Sequence, residues 1–376
     1  MKKVLHIIGN MEDGGAQRVV LDYIERKDEI KKYDLEFLSL SAPANSKYDI
    51  YIKNNNIKFA YLKYKRSNIR LSYLRKFMNW MRRNVALWYF IKSMRVNVIH
   101  IHTTDILIEM LVILFLFNGK KFHTMHSDPY RFSNISVLLA KSIFKYLNVH
   151  PIAVSSGQRQ RAMMRYGLSR CDLLRNSIDI EGINKQVRGV TRESLRKKYN
   201  LPEHGFIIGS VGRLHQVKNY DGLIKVFSEY KKSKRIPVYL AIVGEGNERK
   251  NLINIVESLN LNDSVFFIGN LEQYEVYEFY KMIDLFMLLS HSESSSIVTL
   301  EAQAVGVRCL LADSIPADVV YRSNVRRMSL SSNISEWCKA IDEENYVNDM
   351  IYNNEDNDLN TVMLRLEKIY DKYLYD

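Results

Sequence analysis

Short apolar runs alternate along the chain with longer segments in which apolar residues recur at helical spacing. In the first half, the apolar runs predict β-strands at Lys3–Ile8, Tyr33–Leu40, Ile57–Leu62, Asn97–His102, Phe122–His126 and Ile152–Ser155. A Gly14-Gly15 turn follows the first run, and residues 16–26 have the periodicity of a helix. This alternation is typical of βαβ units, whose strands form parallel sheets.

The second half repeats the alternation from Phe206 onward. Strands are predicted in the segments 206–211, 238–243, 265–269, 285–290 and 308–313. Helices are predicted in the segments 220–234, 248–261, 274–283 and 293–306, and in a final segment 360–376. The polar, basic segment Asn176–Leu201 separates the halves, so the sequence predicts two doubly wound α/β domains. The length of 376 residues suits two domains of this kind.

The most apolar run is Ile106–Phe117, which contains Glu109. It is shorter than the roughly 20 residues needed to span a bilayer, so we predict a buried helix. The N-terminal apolar run is followed at once by Gly9, Glu12 and Asp13, which indicates a first strand and not a signal peptide.

Cysteine usage indicates a reducing compartment. The three cysteines are Cys171, Cys309 and Cys338; they are far apart and form no CxxC pair. A disulfide framework and a zinc cluster are therefore both disfavoured, and we expect a cytoplasmic protein.

The net charge of +12 is concentrated in one segment, Lys63–Arg95, which has ten basic residues and no acidic ones. Aromatic residues are interleaved with the basic ones: Tyr64, Tyr73, Phe77, Trp80, Trp88, Tyr89 and Phe90. This pattern favours an anionic membrane surface as the partner. A solvated helix face with its aromatics in the core is the main alternative. Nucleic acid is disfavoured, because no nucleic-acid-binding module accompanies the segment.

Candidate ligand-binding residues follow the predicted strands, because open α/β sheets bind ligands beyond the carboxyl ends of their strands. Gly14 and Gly15 allow close approach of backbone to a ligand, with free helix amides behind them. His100, His102 and His126 stand at the ends of two strands. Each could donate to a sugar hydroxyl or a phosphate, or satisfy a local carbonyl. A metal site is disfavoured both here and at the DND sequence of residues 356–358, which lies in a polar linker.

In the second half, Arg213 and Lys218 flank a tight turn and could clamp a diphosphate. Glu293 and Glu301 lie on either side of a helix start near Ser296 or Ile297, and Gly306 ends that helix. Free amides at a helix start favour phosphate, whereas carboxylates accept hydrogen bonds from vicinal hydroxyls. The simplest ligand that meets both requirements has phosphate in the middle and hydroxyl-rich groups on both sides, and a nucleotide sugar has this structure.

Seven segments in this order resemble the family 4 glycosyltransferases, retaining enzymes of the GT-B fold from bacterial capsule and exopolysaccharide synthesis. The segments are GGAQR (14–18), TMHSD (124–128), AVSSGQRQRAMMRYG (153–167), NSID (176–179), VGRLHQVKN (211–219), VGEGNER (243–249) and ESSSIVTLE (293–301), the last continuing as AQAVGVRCLLADSIP. The resemblance covers nearly the whole chain. It implies two Rossmann-like domains that face each other across a cleft. Residues 1–178 would bind the acceptor, residues 179–358 the nucleotide sugar, and helix 359–376 would return to the first domain.

The resemblance also implies a role for each matching residue. Glu293 would hold hydroxyls of the transferred sugar and Glu301 those of the ribose. Arg213 and Lys218 would neutralise the diphosphate without a metal or other cofactor. His126 would contact the transferred sugar near the reacting carbon. The remaining substrate-binding residues would be Gly14, Gly15, Asn176, Gly212, Ser294, Ser295, Ser296, Ile297, Val298 and Thr299.

The implied reaction moves a hexose or N-acetylhexosamine from a UDP-sugar to a lipid-linked or polysaccharide acceptor. It would take place at the inner face of the plasma membrane, with Lys63–Arg95 docked on the lipid. Ser294–Ser296 depart from the family, which has glycine directly after the first glutamate. The departure supports one alternative, a catalytically silent nucleotide-sugar-binding partner protein. An epimerase or hydrolase of the same fold is a second alternative, although the set of Arg213, Lys218, Glu293 and Glu301 fits transfer better.

Overall fold

A computed structural model describes residues 1–12, 14–67, 71–343, 346 and 357–375. The chain forms two compact units. Unit 1 comprises Met1–Asn176 and Leu359–Asp376, and unit 2 comprises Ser177–Asp358. The division between the units therefore lies two residues before the one predicted at 178/179. Among the described helices, none combines the length and the apolar character required to cross a bilayer.

Unit 1 is built on a seven-stranded sheet in which every recorded pairing is parallel. Its strands are β1 (Lys2–Ile8), β2 (Tyr33–Ser39), β3 (Ala60–Tyr61), β4 (Val98–His102), β5 (Lys120–Met125), β6 (Val149–Ala153) and β7 (Asp172–Leu173). The strand order is β3-β2-β1-β4-β5-β6-β7. The order reverses direction between β1 and β4, which places a topological switch point at the ends of these strands.

The helices of unit 1 connect successive strands. They are α1 (Gly15–Glu25), α2 (Lys47–Asn54), α3 (Ser72–Ser93), α4 (Thr104–Glu109), α5 (Leu111–Leu116), α6 (Asn134–Tyr146) and α7 (Ser156–Tyr166), with short 3-10 turns at Lys27–Glu29 and Pro129–Arg131. The local sequence sets where several of these helices begin and end. The Ser155 hydroxyl accepts from the Gln158 amide at the start of α7, and Gly167 ends that helix at φ +63°.

Unit 2 has a six-stranded sheet, again with parallel pairings only. Its strands are β8 (Phe206–Val211), β9 (Val238–Val243), β10 (Val265–Gly269), β11 (Leu285–Leu288), β12 (Arg308–Ala312) and β13 (Val325–Met328), in the order β10-β9-β8-β11-β12-β13. Its helices are α8 (Ile180–Gln186), α9 (Arg192–Lys198), α10 (Tyr220–Lys232), α11 (Arg249–Ser258), α12 (Gln273–Met282), α13 (Ile297–Val305) and α14 (Ile334–Asp342), with 3-10 turns at Gln216–Lys218 and Ala317–Val319.

Both faces of the sheet in unit 2 are buried, which explains why its strands have continuous apolar runs. Ile207 of β8 and Phe286 of β11 belong to one apolar cluster, while their neighbours Ile208 and Leu285 belong to a second cluster on the other face. Alternating side chains point to opposite faces of a strand, so helices must cover both sides. The prediction of a doubly wound α/β architecture is confirmed for each unit.

The final helix, α15 (Leu359–Leu374), packs on unit 1. Lys372 Nζ lies 2.7 Å from Asp172, Tyr33 donates to Asp371 at 2.7 Å, and Tyr370 is fully buried. These contacts join the end of the chain to β2 and β7.

Two details of the sequence prediction are wrong. The run Ile106–Phe117 is not one buried helix: it breaks at Met110 into α4 and α5, and Phe115 is 73% exposed. Only two residues of the predicted strand Ile57–Leu62 pair with β2. The short strands β7 and β13 were also missed, since neither has a long apolar run.

Candidate active site

The predicted ligand residues of unit 2 lie in loops that follow β8 and β11. After β8, the chain passes through Gly212 and Arg213 to a 3-10 turn ending at Lys218. Asn219 takes φ +54° and leads into α10. The loop after β9 packs directly on this one: a Cβ at Gly244 would lie 2.1 Å from the Gly212 carbonyl oxygen. The glycines of VGEGNER are therefore needed for contact between two loops.

Lys218 and Glu293 form an ion pair. Lys218 Nζ donates to Glu293 Oε1 at 2.6 Å, and the Ser290 hydroxyl donates to the same oxygen at 2.8 Å. The side chains are 18% and 13% exposed, respectively, so water screens the pair only in part. Arg213 begins the same loop as Lys218, and its side chain is exposed. The structure thus pairs Lys218, which was predicted to bind the diphosphate, with Glu293, which was predicted to bind the transferred sugar.

Helix α13 begins at Ile297, at the predicted position, and Gly306 ends it at φ +93°. Its N-cap residue, Ser296, makes no side-chain hydrogen bond to a helix amide. Among the described residues, the amides of Ile297 and Val298 have no hydrogen-bond partner, whereas the Thr299 amide donates to the Ser296 carbonyl at 3.2 Å. The two free amides at the helix start, those of Ile297 and Val298, are available to an anion.

Glu301 lies in the second turn of α13 and is only 3% exposed. Gln273 donates to its Oε1 at 2.7 Å, and the Tyr280 hydroxyl lies 3.4 Å from its Oε2. Burial, with the Glu301 carboxylate beside it, raises the pKa of Tyr280, so this hydroxyl remains a donor. Both oxygens of the Glu301 carboxylate act as hydrogen-bond acceptors, which is the chemistry that vicinal hydroxyls require.

The serine triplet causes no backbone strain. None of Ser294, Ser295 and Ser296 takes a positive φ. The Ser296 hydroxyl pairs with that of Thr299 at 2.8 Å. The special freedom of glycine is therefore not required in this loop.

In unit 1, Gly14 and Gly15 are placed as predicted, at the start of α1. Gly14 is the N-cap, in extended conformation, and Gln17 donates to Asn10 Oδ1 at 3.0 Å across the turn. A Cβ on Gly14 would lie 2.5 Å from Oε1 of Gln17, so the end of the Gln17 side chain would have to move and its bond to Asn10 would be disturbed. Asn176 is buried at the end of unit 1.

His126 directly follows β5 and is half-buried. Its Nε2 lies 3.0 Å from His102 Nδ1, so it pairs with another histidine and not with a carbonyl. Burial and nearby His123 lower the pKa of His126, which favours the neutral imidazole. His123, within β5, does lie against a backbone carbonyl: its Nδ1 is 3.2 Å from the Ile101 oxygen.

Three comparisons with known proteins bear on this geometry. Residues 191–354 match the family described as glycosyl transferases group 1. A protein of Bacillus subtilis that carries the name glycosyltransferase EpsF is 26% identical over 350 residues, 90% of this chain and 87% of that one. WclY of Escherichia coli, named as an O-antigen biosynthesis glycosyltransferase, is 29% identical over 151 residues, 40% of each chain. The Anabaena HepE structure with UDP and glucose has a TM-score of 0.73 at 16% identity, covering 99% of this chain and 95% of HepE.

The chain is a glycosyltransferase, and its residues 191–354 match the group 1 family. The likeness to HepE shows that its two Rossmann-like units form the GT-B fold. The predictions of the GT-B fold class and of a glycosyltransferase are thereby confirmed, whereas membership of family 4 and the retaining type stay predictions.

Within the glycosyltransferase, the structure brings together Lys218, Glu293 and the start of α13 in unit 2. It also shows two residues that sequence reasoning missed, Gln273 and Tyr280, which hold Glu301. They are seven residues apart on α12 and so lie on one helix face. That spacing was the only sequence signal for them.

Proposed function

We propose that this glycosyltransferase is a retaining, family 4 enzyme that moves a hexose or N-acetylhexosamine from a UDP-sugar to a lipid-linked or polysaccharide acceptor. The observation that carries the proposal is the contact between Lys218 and Glu293 beside a helix start with two free amides. The relatives add to it: HepE was solved with UDP and glucose, and WclY is named for O-antigen biosynthesis. We infer a role in capsule, exopolysaccharide or O-antigen synthesis.

In the proposed donor site, each group has a partner of suitable chemistry. The amides of Ile297 and Val298, with Lys218 and Arg213, take the diphosphate. Glu293 accepts from hydroxyls of the transferred sugar, and Glu301 accepts from the ribose hydroxyls. Gly212 and Ser294–Ser296 bring backbone near the ligand. In unit 1, His126 contacts the sugar, and Gly14, Gly15 and Asn176 bind substrate.

The proposed reaction breaks the bond between C1 of the sugar and the diphosphate oxygen, and forms a bond from C1 to the acceptor oxygen on the same face. The acceptor hydroxyl loses its proton to the leaving phosphate, so no separate base is required. Negative charge grows on the diphosphate as the bond breaks. Cations and amides that are already in place stabilise that charge most strongly in the transition state. Lys218 and Arg213 supply this stabilisation without a metal.

The membrane part of the proposal rests on α3 and its neighbour α5. In α3, Trp88 and Phe90 pack against the core of unit 1, as the alternative required. Tyr73, Phe77 and Tyr89 of the same helix are exposed and do not. Large apolar side chains are exposed at four-residue intervals: Tyr73, Phe77, Met81, Val85 and Tyr89. Exposed basic residues interleave with them: Arg75, Lys76, Arg82 and Lys92. Residues 68–70, including Arg70, lie outside the described residues.

Helix α5 extends this surface. Trp80 of α3 donates to the Glu109 carbonyl at 2.9 Å, and Arg83 pairs with the Glu109 carboxylate at 2.7 Å, which joins α3 to the segment before α5. The exposed apolar residues of α5 are Leu111, Val112, Phe115 and Leu116. Apolar side chains among lysine and arginine suit the headgroup region of an anionic leaflet. We propose that the enzyme docks peripherally on the inner face of the plasma membrane through this surface.

Transfer is tested by measuring UDP release from a panel of UDP-sugars, with and without a lipid-linked acceptor. Lys218→Ala and Arg213→Ala should each raise the barrier by about 2–4 kcal/mol, the scale for loss of one preorganised donor. Lys225→Ala is the matched control, because Lys225 pairs with Asp221 on the exposed face of α10. Wild-type turnover in both site variants would refute the assignment. Donor binding without release under any condition would favour a silent partner protein, and product formation without acceptor would favour an epimerase or hydrolase.

Docking is tested by flotation with liposomes that contain anionic lipid. Phe115→Asp together with Phe77→Asp should abolish flotation, and Arg75→Glu with Arg82→Glu should weaken it in a salt-dependent way. Ile236→Asp, at an exposed apolar residue of unit 2, is the control. Flotation that survives all four changes would show that another surface binds lipid.

A further inference from the structure

A continuous chain of hydrogen-bonded side chains crosses one face of the sheet in unit 1. We call it the histidine chain, and it runs in the order His126, His102, His6, Tyr370, His100, Thr124. The five successive heavy-atom distances along it are 3.0, 2.9, 3.1, 2.7 and 2.7 Å. Every member except His126 is buried.

Strand geometry explains why these residues meet. His6 lies opposite His100 in the register of β1 and β4, and His102 lies opposite Thr124 in the register of β4 and β5. Residues two apart on a strand share a face, so His102 adds to His100 and His126 adds to Thr124. Tyr370 reaches this face from α15 and bridges His6 and His100.

When all four imidazoles are neutral, the histidine chain can form all five of its hydrogen bonds in only two ways. A neutral imidazole donates through one nitrogen and accepts through the other. If Thr124 donates to His100, the direction of every other hydrogen bond in the histidine chain is fixed. Each histidine then accepts through Nε2 and carries its hydrogen on Nδ1. If Thr124 accepts, the order reverses and all four carry hydrogen on Nε2. Burial lowers the pKa of His6, His100 and His102, with neighbouring histidines adding to the effect, which supports the neutral form.

The inner end of the chain distinguishes these arrangements. The Thr124 side chain is fully buried, and His100 is its one hydrogen-bond partner among the described residues. If Thr124 accepted from His100, its own hydroxyl hydrogen would have no acceptor, and an unsatisfied buried donor is costly. If it donates, every hydrogen between Thr124 and His126 has an acceptor, and only the Nδ1–H of half-buried His126 is left to bond outside the histidine chain. At the outer end, His126 Nδ1 has no partner among the described residues and can bond to ligand or water.

We propose that the histidine chain holds His126 as a neutral imidazole with its hydrogen on Nδ1, and that Thr124 and Tyr370 are the positioning residues that fix this tautomer. His126 then offers an N–H donor to a substrate oxygen, and it is neither a base nor a cation. The nature of that substrate rests on the proposed function. The tautomer itself does not, since it is a property of the protein without ligand.

A metal site is the competing interpretation of the same residues. Ligand nitrogens of His6, His100 and His102 lie within 4.8 Å of one another. In the structure, however, both ring nitrogens of each of these histidines are already within hydrogen-bond distance of a chain member. A metal would have to replace several of those bonds.

The test uses the full chain labelled with ¹⁵N-histidine and no substrate. Long-range ¹H–¹⁵N correlation spectra at about pH 7.5 show which ring nitrogen carries hydrogen. We expect Nδ1–H for His6, His100, His102 and His126. Hydrogen on Nε2 of His126, a protonated ring, or tautomers that differ between members would overturn the proposal. So would stoichiometric zinc in the purified protein whose removal changes these resonances.

Two variants test whether remote groups set the tautomer of His126. Thr124→Val leaves His100 Nε2 without a partner in either arrangement, and Tyr370→Phe does the same to His6 Nε2. Each removes the preference, so both tautomers of His126 should appear. Thr124→Ser keeps the hydroxyl and should keep a single tautomer.

Matched controls remove similar groups outside the chain. Thr104→Val removes a hydroxyl 3.4 Å from His123, and Tyr33→Phe removes a hydroxyl bonded to Asp371 of α15. Neither should change His126. A single Nδ1–H tautomer in both Thr124→Val and Tyr370→Phe would refute the role of the chain. Because no turnover is measured, this result is independent of whether UDP release is observed.

Discussion

Acidification from pH 7.5 to 5.5 should destabilise unit 1 through its buried histidines. His6, His100, His102 and His123 are at most 1% exposed, and burial lowers the pKa of each, for His123 to about 4. In the unfolded chain, histidine returns to an ordinary pKa near 6.5. Below that pH the unfolded state binds more protons than the folded state, so stability is greatest above about 6.5 and is lost as the pH falls.

The size of the effect follows from linkage. One pH unit below the ordinary value, each histidine that stays neutral in the folded state costs about 1 kcal/mol. Four such groups therefore cost between about 4 and 6 kcal/mol at pH 5.5, which is comparable to the whole stability of a typical domain at about 5–15 kcal/mol. Carboxylates titrate mostly below this range, so the histidines dominate it.

The assay is urea denaturation at a series of pH values, followed by tryptophan fluorescence. Trp337→Phe serves as the background, because the remaining tryptophans, Trp80 and Trp88, both lie in α3 of unit 1. The slope of unfolding free energy against pH gives the protons taken up, which we expect to be at least about three to four near pH 5.5, since the lowered pKa of His126 and of His150 adds to the effect of the four buried histidines. His123→Asn should lower this number by about one, since an amide can still donate to the Ile101 carbonyl. Stability that is constant from pH 7.5 to 5.5 would refute the reasoning.

Two further predictions concern unit 2. Glu301→Gln places an amide against the donors of Gln273 and Tyr280 and should weaken UDP binding by about 1–3 kcal/mol in calorimetry; unchanged affinity would remove Glu301 from the nucleotide site. Gly306→Ala forces a side chain into φ +93°, where its Cβ would make only an ordinary contact with Arg322 at 3.9 Å, so backbone strain should cost about 1–2 kcal/mol and lower the Tm. Ala304→Gly, inside α13, should cost at least about 1 kcal/mol by different causes, helix propensity and the loss of a buried methyl group; a Gly306→Ala protein as stable as wild type would contradict the assigned cap.

The sequence predicted much of the fold because its signals are local. Continuous apolar runs such as Phe206–Val211 become strands that are buried on both faces, and the free amides of α13 follow from where the helix starts. The run Ile106–Phe117 was misjudged, because its composition fits a buried helix and gives no sign of the break at Met110. Whether Phe115 faces solvent depends on what packs against α5, and no local pattern contains that information.

The sequence by itself determined the class of the protein: alternating strands and helices, seven ordered motifs, and the positions of Glu293, Glu301 and Lys218 after strands. Those features depend on residues close together in the chain. Only the tertiary structure showed that Gln273 and Tyr280 hold Glu301, and that His6, Thr124 and Tyr370 join His126 in one chain. His6 and Tyr370 are 364 residues apart. Their hydrogen bond exists because the final helix packs on the first sheet, and side-chain periodicity cannot predict such a contact.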